Sequence, residues 1–162
     1  MFGPQGAKRG ERVKVFRDLN EFAAARGSQL GPTDWMEIDQ DRVDLFANAT
    51  DDRQWIHVDP EKAASGPFGG TIAHGLLTLS LVPHLAKQLY RVDNIALAVN
   101  YGYNKVRFIT PVKVGAKIRA RGEITGVNRL EGAVQATNTI TVEIDDSAKP
   151  AAVVESIVRY IA

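Results

Sequence analysis

The stretch Gly75-Leu76-Leu77-Thr78-Leu79-Ser80-Leu81-Val82 puts apolar side chains on nearly every face of a helix. A helix of that kind belongs inside protein, because no face of it prefers water. The run it belongs to, residues 72–90, is interrupted by His74, Pro83, His84 and Lys87, so it is too polar and too short for a membrane span. Pro83 is expected to bend the helix or to remove one bond from its ladder. Polar positions return only near Lys87 and Gln88.

Downstream of this helix the period changes to two. Lys117-Ile118-Arg119-Ala120-Arg121-Gly122-Glu123-Ile124 alternates strictly, as a half-buried antiparallel strand does. Val134, Ala136, Asn138, Ile140, Val142 and Ile144 form one face of a further strand, opposite Gln135, Thr137, Thr139, Thr141 and Glu143. Residues 95–109 and 151–161 supply two more, with turns at 111–115, 129–132 and 145–150. The pattern predicts a four-stranded meander after one buried helix, with a short strand added from the N-terminal half. A sheet with one apolar face and a helix apolar all round bury each other when the sheet curls around the helix, which is an α+β arrangement.

The upstream half is read from caps and breakers. Asp18 caps a short helix over 18–26, in which Leu19, Phe22 and Ala23 share a face and Gly27 stops it. Gly31-Pro32 marks a turn, residues 34–38 a brief strand, and Asp39 the cap of a second helix carrying Val43, Phe46 and Ala47. Residues 1–12 read as a flexible tail, Gly-rich and basic with no apolar core of a secretory signal. Residues 13–162 form one domain, which a chain of 162 residues suits. Lys+Arg total 20 against 19 Asp+Glu, so there is no electrostatic footprint for nucleic acid or an anionic membrane. With no cysteine, disulfides, thiolate metal sites and Cys nucleophiles are excluded. The expectation is a soluble, cytoplasmic protein.

Candidate chemistry concentrates in Asp51-Asp52-Arg53-Gln54-Trp55-Ile56-His57-Val58-Asp59-Pro60, where three carboxylates surround one histidine. The three histidines, at 57, 74 and 84, show no recognised metal spacing, and there is neither a nucleophile elbow nor a phosphate-binding glycine loop. From spacing alone the plainer reading of the stretch is preferred: aspartates that cap helices and a histidine without special work. Two features weigh against it. Gly75 at the start of a buried helix is poorly explained by packing, since Gly costs about 1 kcal/mol against Ala there. A helix N-terminus offers unpaired N–H groups, and without a Cβ the Gly75 amide is open to a substrate carbonyl. The Gly-rich loop 66–70 also brings the acidic stretch and this helix start within reach of each other. An acid/base pair beside an oxyanion donor is what proton transfer next to a carbonyl requires.

Asp52-Arg53-Gln54-Trp55-Ile56-His57-Val58-Asp59-Pro60, then Phe68, then Ile72-Ala73-His74-Gly75-Leu76, resembles the MaoC-like, (R)-specific enoyl-CoA hydratase family. Tyr101-Gly102-Tyr103-Asn104-Lys105-Val106-Arg107-Phe108, followed by Pro111-Val112, is similar to the strand after the central helix in a mycobacterial-type subset. The resemblance covers residues 30–162. It implies the hotdog fold, an antiparallel sheet wrapped around a long central helix, and reversible hydration of trans-2-enoyl-CoA to the (3R)-3-hydroxyacyl-CoA. It assigns the catalytic pair to Asp52 and His57 and the thioester-polarising N–H to Gly75. It needs no metal or organic cofactor, and it implies a homodimer.

Where the family motif has Gly, Asn and Pro, this chain has Asp51, Gln54 and Trp55. Asp tolerates the left-handed backbone that such a glycine adopts. Trp55 reads equally as core packing and as a wall of the acyl site, and Gln54 keeps an amide with longer reach. Lys105, Arg107 and Arg159 are the candidate cations for the CoA phosphates. His74 is expected to support the helix start, and Thr78 and Ser80 to satisfy their hydroxyls within the helix. A thioesterase and a non-catalytic partner subunit of an acyl dehydratase are the alternatives. The first lacks a carboxylate anywhere in residues 72–90, and the second has no need of both Asp52 and His57.

Overall fold

The computed structural model describes residues 13–162, and the tail expected over residues 1–12 lies outside them. In chain order the elements are β1 (Lys14–Phe16), α1 (Leu19–Ala23), β2 (Gln29–Leu30), β3 (Met36–Glu37), α2 (Gln40–Thr50), α3 (Trp55–Val58) and α4 (Pro60–Ala64). They continue with α5 (Gly75–Leu89), β4 (Tyr90–Val92), β5 (Leu97–Phe108), β6 (Lys117–Leu130), β7 (Ala133–Ile144) and β8 (Ala152–Ile161). The aspartates read as caps do cap. The side chains of Asp18, Asp39 and Asp59 accept from the backbone N–H of Glu21, Arg42 and Lys62, groups that a first helical turn otherwise leaves unpaired.

α5 continues through Pro83, so the proline removes one donor without ending the helix. Val82, Leu85 and Leu89 pack into one core with Ile118, Ala120 and Ile124 of β6, Val134, Ile140 and Val142 of β7 and Val154 of β8. The C-terminal end of the helix comes close to the sheet because glycine lies there. A Cβ on Gly122 would stand 3.1 Å from Leu89 Cδ1, and one on Gly31 2.7 Å from Leu89 Cδ2. Asn138, the polar residue on the apolar face of β7, accepts from the Tyr90 hydroxyl at 3.3 Å, and Tyr90 shares a 2.6 Å hydrogen bond with Tyr160.

Three expectations need correction. The strands do not form a simple meander: the order is β2-β6-β7-β8-β5, with β3 also on β6. β5 pairs antiparallel with β8, at the far edge from β6. The reason lies in residues 109–116, which make no hairpin. They run past the ends of β7 and β8 and pair instead with the segment before α5, through Ala73 N–H to Val112 O at 2.8 Å and Val114 N–H to Thr71 O at 2.9 Å. Second, two short strands are added from the N-terminal half, and a parallel β1–β4 pair lies beside the main sheet. Third, α5 is not enclosed on every side. Leu76 is 57% exposed, and Ser80, His84 and Lys87 follow it along an open face. Among the described residues no helix is long and apolar enough to cross a membrane.

Leu89 is completely buried between the two glycines and the sheet. Leu89→Ala should therefore lower the unfolding free energy by about 2–5 kcal/mol, measured by urea denaturation at fixed protein concentration.

Candidate active site

The segment 71–73 is an extended piece of chain held on both sides. Ile72 N–H donates to Ile56 O at 3.0 Å on the α3 side, and Ile72 bridges to Lys113 on the other. α3 is a single turn in which the Gln54 carbonyl accepts from His57 N–H at 3.0 Å and Val58 N–H at 3.3 Å. That turn puts the His57 ring against the segment, where His57 Nδ1 meets Ile72 O at 2.7 Å. A carbonyl only accepts, so in the neutral ring Nδ1 carries the proton and Nε2 is left with its lone pair. His57 is 6% exposed. Burial pushes its pKa below the usual 6.5, the Ile72 contact opposes that, His74 lowers it further and the Asp52 carboxylate raises it.

Asp52 arrives by a turn. α2 ends at Asp51, whose φ of 59° is left-handed, and the Asp51 carboxylate is held by Arg53 Nη1 at 2.6 Å. The substituted turn position thus keeps the glycine-like backbone expected of it, and the next residue, itself exposed, follows that turn. The ligating atoms of Asp52, His57 and His74 all lie within 4.8 Å of one another. His74 Nε2 donates to the Asp52 backbone carbonyl at 2.8 Å, and its ring stacks on that of His57 with centroids 3.8 Å apart and planes 23° apart. A metal is a poor fit to this donor set. Lone pairs lie in the ring planes, and two nearly parallel planes at that separation do not meet within the 2.0–2.1 Å of a metal–imidazole bond.

A cavity of about 300 Å³ opens beside the start of α5, lined by His57, Gly75, Thr78, Phe108 and Pro111 among others. His57 and Gly75 therefore face one space, as their sequence roles require. Gly75 is the first residue of α5, where the helix leaves amides without intrahelical acceptors. Packing does account for part of the glycine, contrary to expectation: a Cβ there would stand 3.1 Å from the Phe108 ring. Thr78 is buried and faces the cavity rather than serving only its helix, while Ser80 donates to Leu76 O at 2.7 Å as expected.

Other sequence candidates are not brought to this cavity. Trp55 packs against Gly66, with the Lys62 ammonium 4.8 Å from its ring centroid, and Gln54 contributes its backbone at the start of α3. Neither lines the cavity. Lys105, Arg107 and Arg159 are also displaced. Arg107 pairs with Val153 and Lys105 with Glu155, on the face opposite the Phe108–Ala152 pair. Arg159 donates to Gln135 and lies 3.6 Å over the Tyr101 ring, far along β8 from Ala152. Alternation along the strands, broken by two irregularities in β5, turned these cations outward. One contributor went unforeseen. Gln40 Nε2 donates to His57 O at 2.7 Å while its Oε1 accepts from Thr71 at 2.7 Å. Its partners lie 17 and 31 residues away, beyond any local sequence signal.

With this geometry in place, comparison with known proteins is informative. The profile of the MaoC like domain family matches residues 21–145. The 3-hydroxyacyl-thioester dehydratase Z of Mycobacterium tuberculosis is 56% identical over 151 residues, covering 93% of this chain and 100% of that protein. Among solved structures, the monoamine oxidase regulatory protein from Archaeoglobus superposes with a TM-score of 0.73 at 22% identity, over 92% of this chain and 97% of its own. The (R)-hydratase from A. caviae involved in PHA biosynthesis gives 0.64 at 24%, over 82% and 94%. The hotdog fold expected from the sequence is the fold these structures share with the chain.

The buried His57 gives a signed prediction. Its folded pKa lies below its unfolded value, so as pH falls the unfolded chain takes up the proton first. The stability this group contributes is complete above about pH 6.5 and is lost as pH falls through the folded pKa. Thermal unfolding should show wild type losing more stability than His57→Gln between neutral and mildly acidic pH, and ring NMR should show His57 titrating below a free histidine.

Proposed function

The chain belongs to the MaoC-like domain family, and from that premise we propose that it catalyses (R)-specific, reversible hydration of trans-2-enoyl-CoA to (3R)-3-hydroxyacyl-CoA in fatty-acid metabolism. The observation that carries this reading is that His57, which has the Asp52 carboxylate within 4.8 Å and an unprotonated ring nitrogen, shares with Gly75 the lining of a mainly apolar cavity that Asp52 itself does not line. The name of the mycobacterial relative, a 3-hydroxyacyl-thioester dehydratase, describes the reverse direction of the same chemistry.

In this mechanism the thioester carbonyl lies against the Gly75 N–H at the positive end of α5, and the acyl chain fills the cavity. Asp52 and His57 Nε2 both accept from one water. As the water oxygen bonds to C3, the C2–C3 π pair moves toward the carbonyl oxygen as an enolate, which the helix start stabilises. The water proton passes to the Asp52/His57 pair, and C2 takes a proton from that pair as the carbonyl re-forms. A histidine whose pKa is lowered by burial is neutral at working pH, as the base must be. The reaction so written uses no metal or organic cofactor.

The working unit is a homodimer. Among the described residues β5 is an edge strand, paired on one side only, with Leu97, Val99, Tyr101 and Phe108 exposed along it. Together with the open face of α5 marked by Leu76, this is a long unpaired edge next to apolar surface, the kind of feature that a second copy covers.

Purified protein should consume crotonyl-CoA with loss of enoyl-thioester absorbance, and chiral analysis should find the 3R product. Asp52→Asn and His57→Ala should each lower kcat/KM by on the order of 10²–10⁴-fold. Asp59→Asn should stay near wild type, because Asp59 caps α4 and Asn caps equally well. A fully active Asp52→Asn enzyme would refute the assignment of the carboxylate. Light scattering should return twice the chain mass.

A further inference from the structure

His74 touches all three groups assigned to the chemistry. Its Nε2–H donates to the Asp52 carbonyl, its ring stacks on His57, and its own backbone is the N-cap residue that precedes Gly75. It lies outside the residues that line the cavity, so it does not meet the acyl chain. It is 3% exposed, and its Nδ1 is a buried atom without a hydrogen-bond partner among the described residues. A buried acceptor left unpaired costs about 1–3 kcal/mol. A phenyl ring would fill the same space against Phe46 and His57 without that cost. Plain packing therefore accounts for the ring but not for its nitrogens.

We propose that His74 is a positioning residue for the hydration reaction: it fixes the Asp52 backbone relative to the His57 ring so that carboxylate and imidazole can engage one water. The inference rests on the hydratase reading given above and adds to it the element that sets the spacing of the pair. Asp52 follows a left-handed residue at the end of α2, and no element of regular structure holds its own position. The bond from His74 ties that position to the start of α5. The ring stack sets the level of His57 against the same residue, and the Ile72 carbonyl sets its rotation. One side chain thus converts two separate loops into a single rigid arrangement, the preorganisation that reacting groups need.

The test compares variants that keep or lose the donor. His74→Gln carries an amide N–H near the position of Nε2, whereas His74→Asn is one methylene shorter and cannot span to Asp52. With crotonyl-CoA, His74→Asn should lose kcat on the order of 100-fold with KM little changed, and His74→Gln should recover most of it at unchanged melting temperature. A generally weakened fold would move KM and melting temperature instead. Retained kcat in His74→Asn overturns the proposal, as does a folded His74→Gln as slow as His74→Asn. Should His74→Asn not fold, His74→Phe, which keeps the ring and removes the donor, takes its place in the same comparison. If wild type hydrates no enoyl-CoA, the hydratase reading fails separately. Crystal structures then decide the positioning role. The Asp52–His57 separation should open beyond 4.8 Å without the donor and stay within it in His74→Gln, and an unchanged separation without the donor overturns it.

Discussion

The backbone of Ile72 is the constraint on which the site depends. Its N–H donates to Ile56 O and its carbonyl accepts from His57 Nδ1, so both polar groups of one residue are spent on the single turn of α3. Its neighbours Thr71 and Ala73 turn the other way and pair with Val114 and Val112. Buried backbone groups must find partners, and here that requirement locks three things together: the histidine turn, the crossover after β5 and the entry to α5. His57 cannot change tautomer or rotate without orphaning the Ile72 carbonyl. Nor can β5 take up a hairpin position beside β6 without stripping partners from residues 71 and 73. The non-sequential strand order and the poised imidazole follow from the same few hydrogen bonds.

What was legible in the sequence is what is decided locally. The three aspartate caps depend on a donor three residues away, and each was read correctly. The alternation of β6 and β7 records which side of each residue meets the core, so the faces of those strands were also correct. The place of β5 was not legible, because its alternation is satisfied equally beside β6 or beside β8. The decision rests on where residues 109–116 find partners. The open face of α5 was missed for a related reason. Leu76 reports a side chain that avoids water, but not whether the chain itself or another surface covers it.

The same division holds within the site. Asp52, His57 and Gly75 follow local patterns, whereas the cations offered for the CoA phosphates rested on charge alone. Lys105, Arg107 and Arg159 turn to the outer face because strand geometry fixes side-chain direction regardless of charge. Gln40 had no signature at all. Its amide joins the His57 carbonyl to Thr71 across two loops, which gives the histidine turn a second anchor. A glutamine on a helix is otherwise read as solvent-facing.

The electrostatic logic of His57 shows why so much structure is devoted to one ring. Desolvation is the largest influence on its pKa and drives it down, while the Ile72 contact and, less strongly, Asp52 pull the other way. Were desolvation weaker, the Ile72 contact, and after it Asp52, would favour the protonated ring, which has no base to offer. Were Asp52 farther away, the base would persist but the water would lose its second acceptor. Burial by α3, the Ile72 contact and the His74 stack keep the ring dry, and the left-handed turn at Asp51 brings the carboxylate close without burying the turn itself. The neutrality of the imidazole is thus set by packing distances. It is therefore sensitive to residues such as Gln40 and His74 that hold those distances while lying outside the cavity.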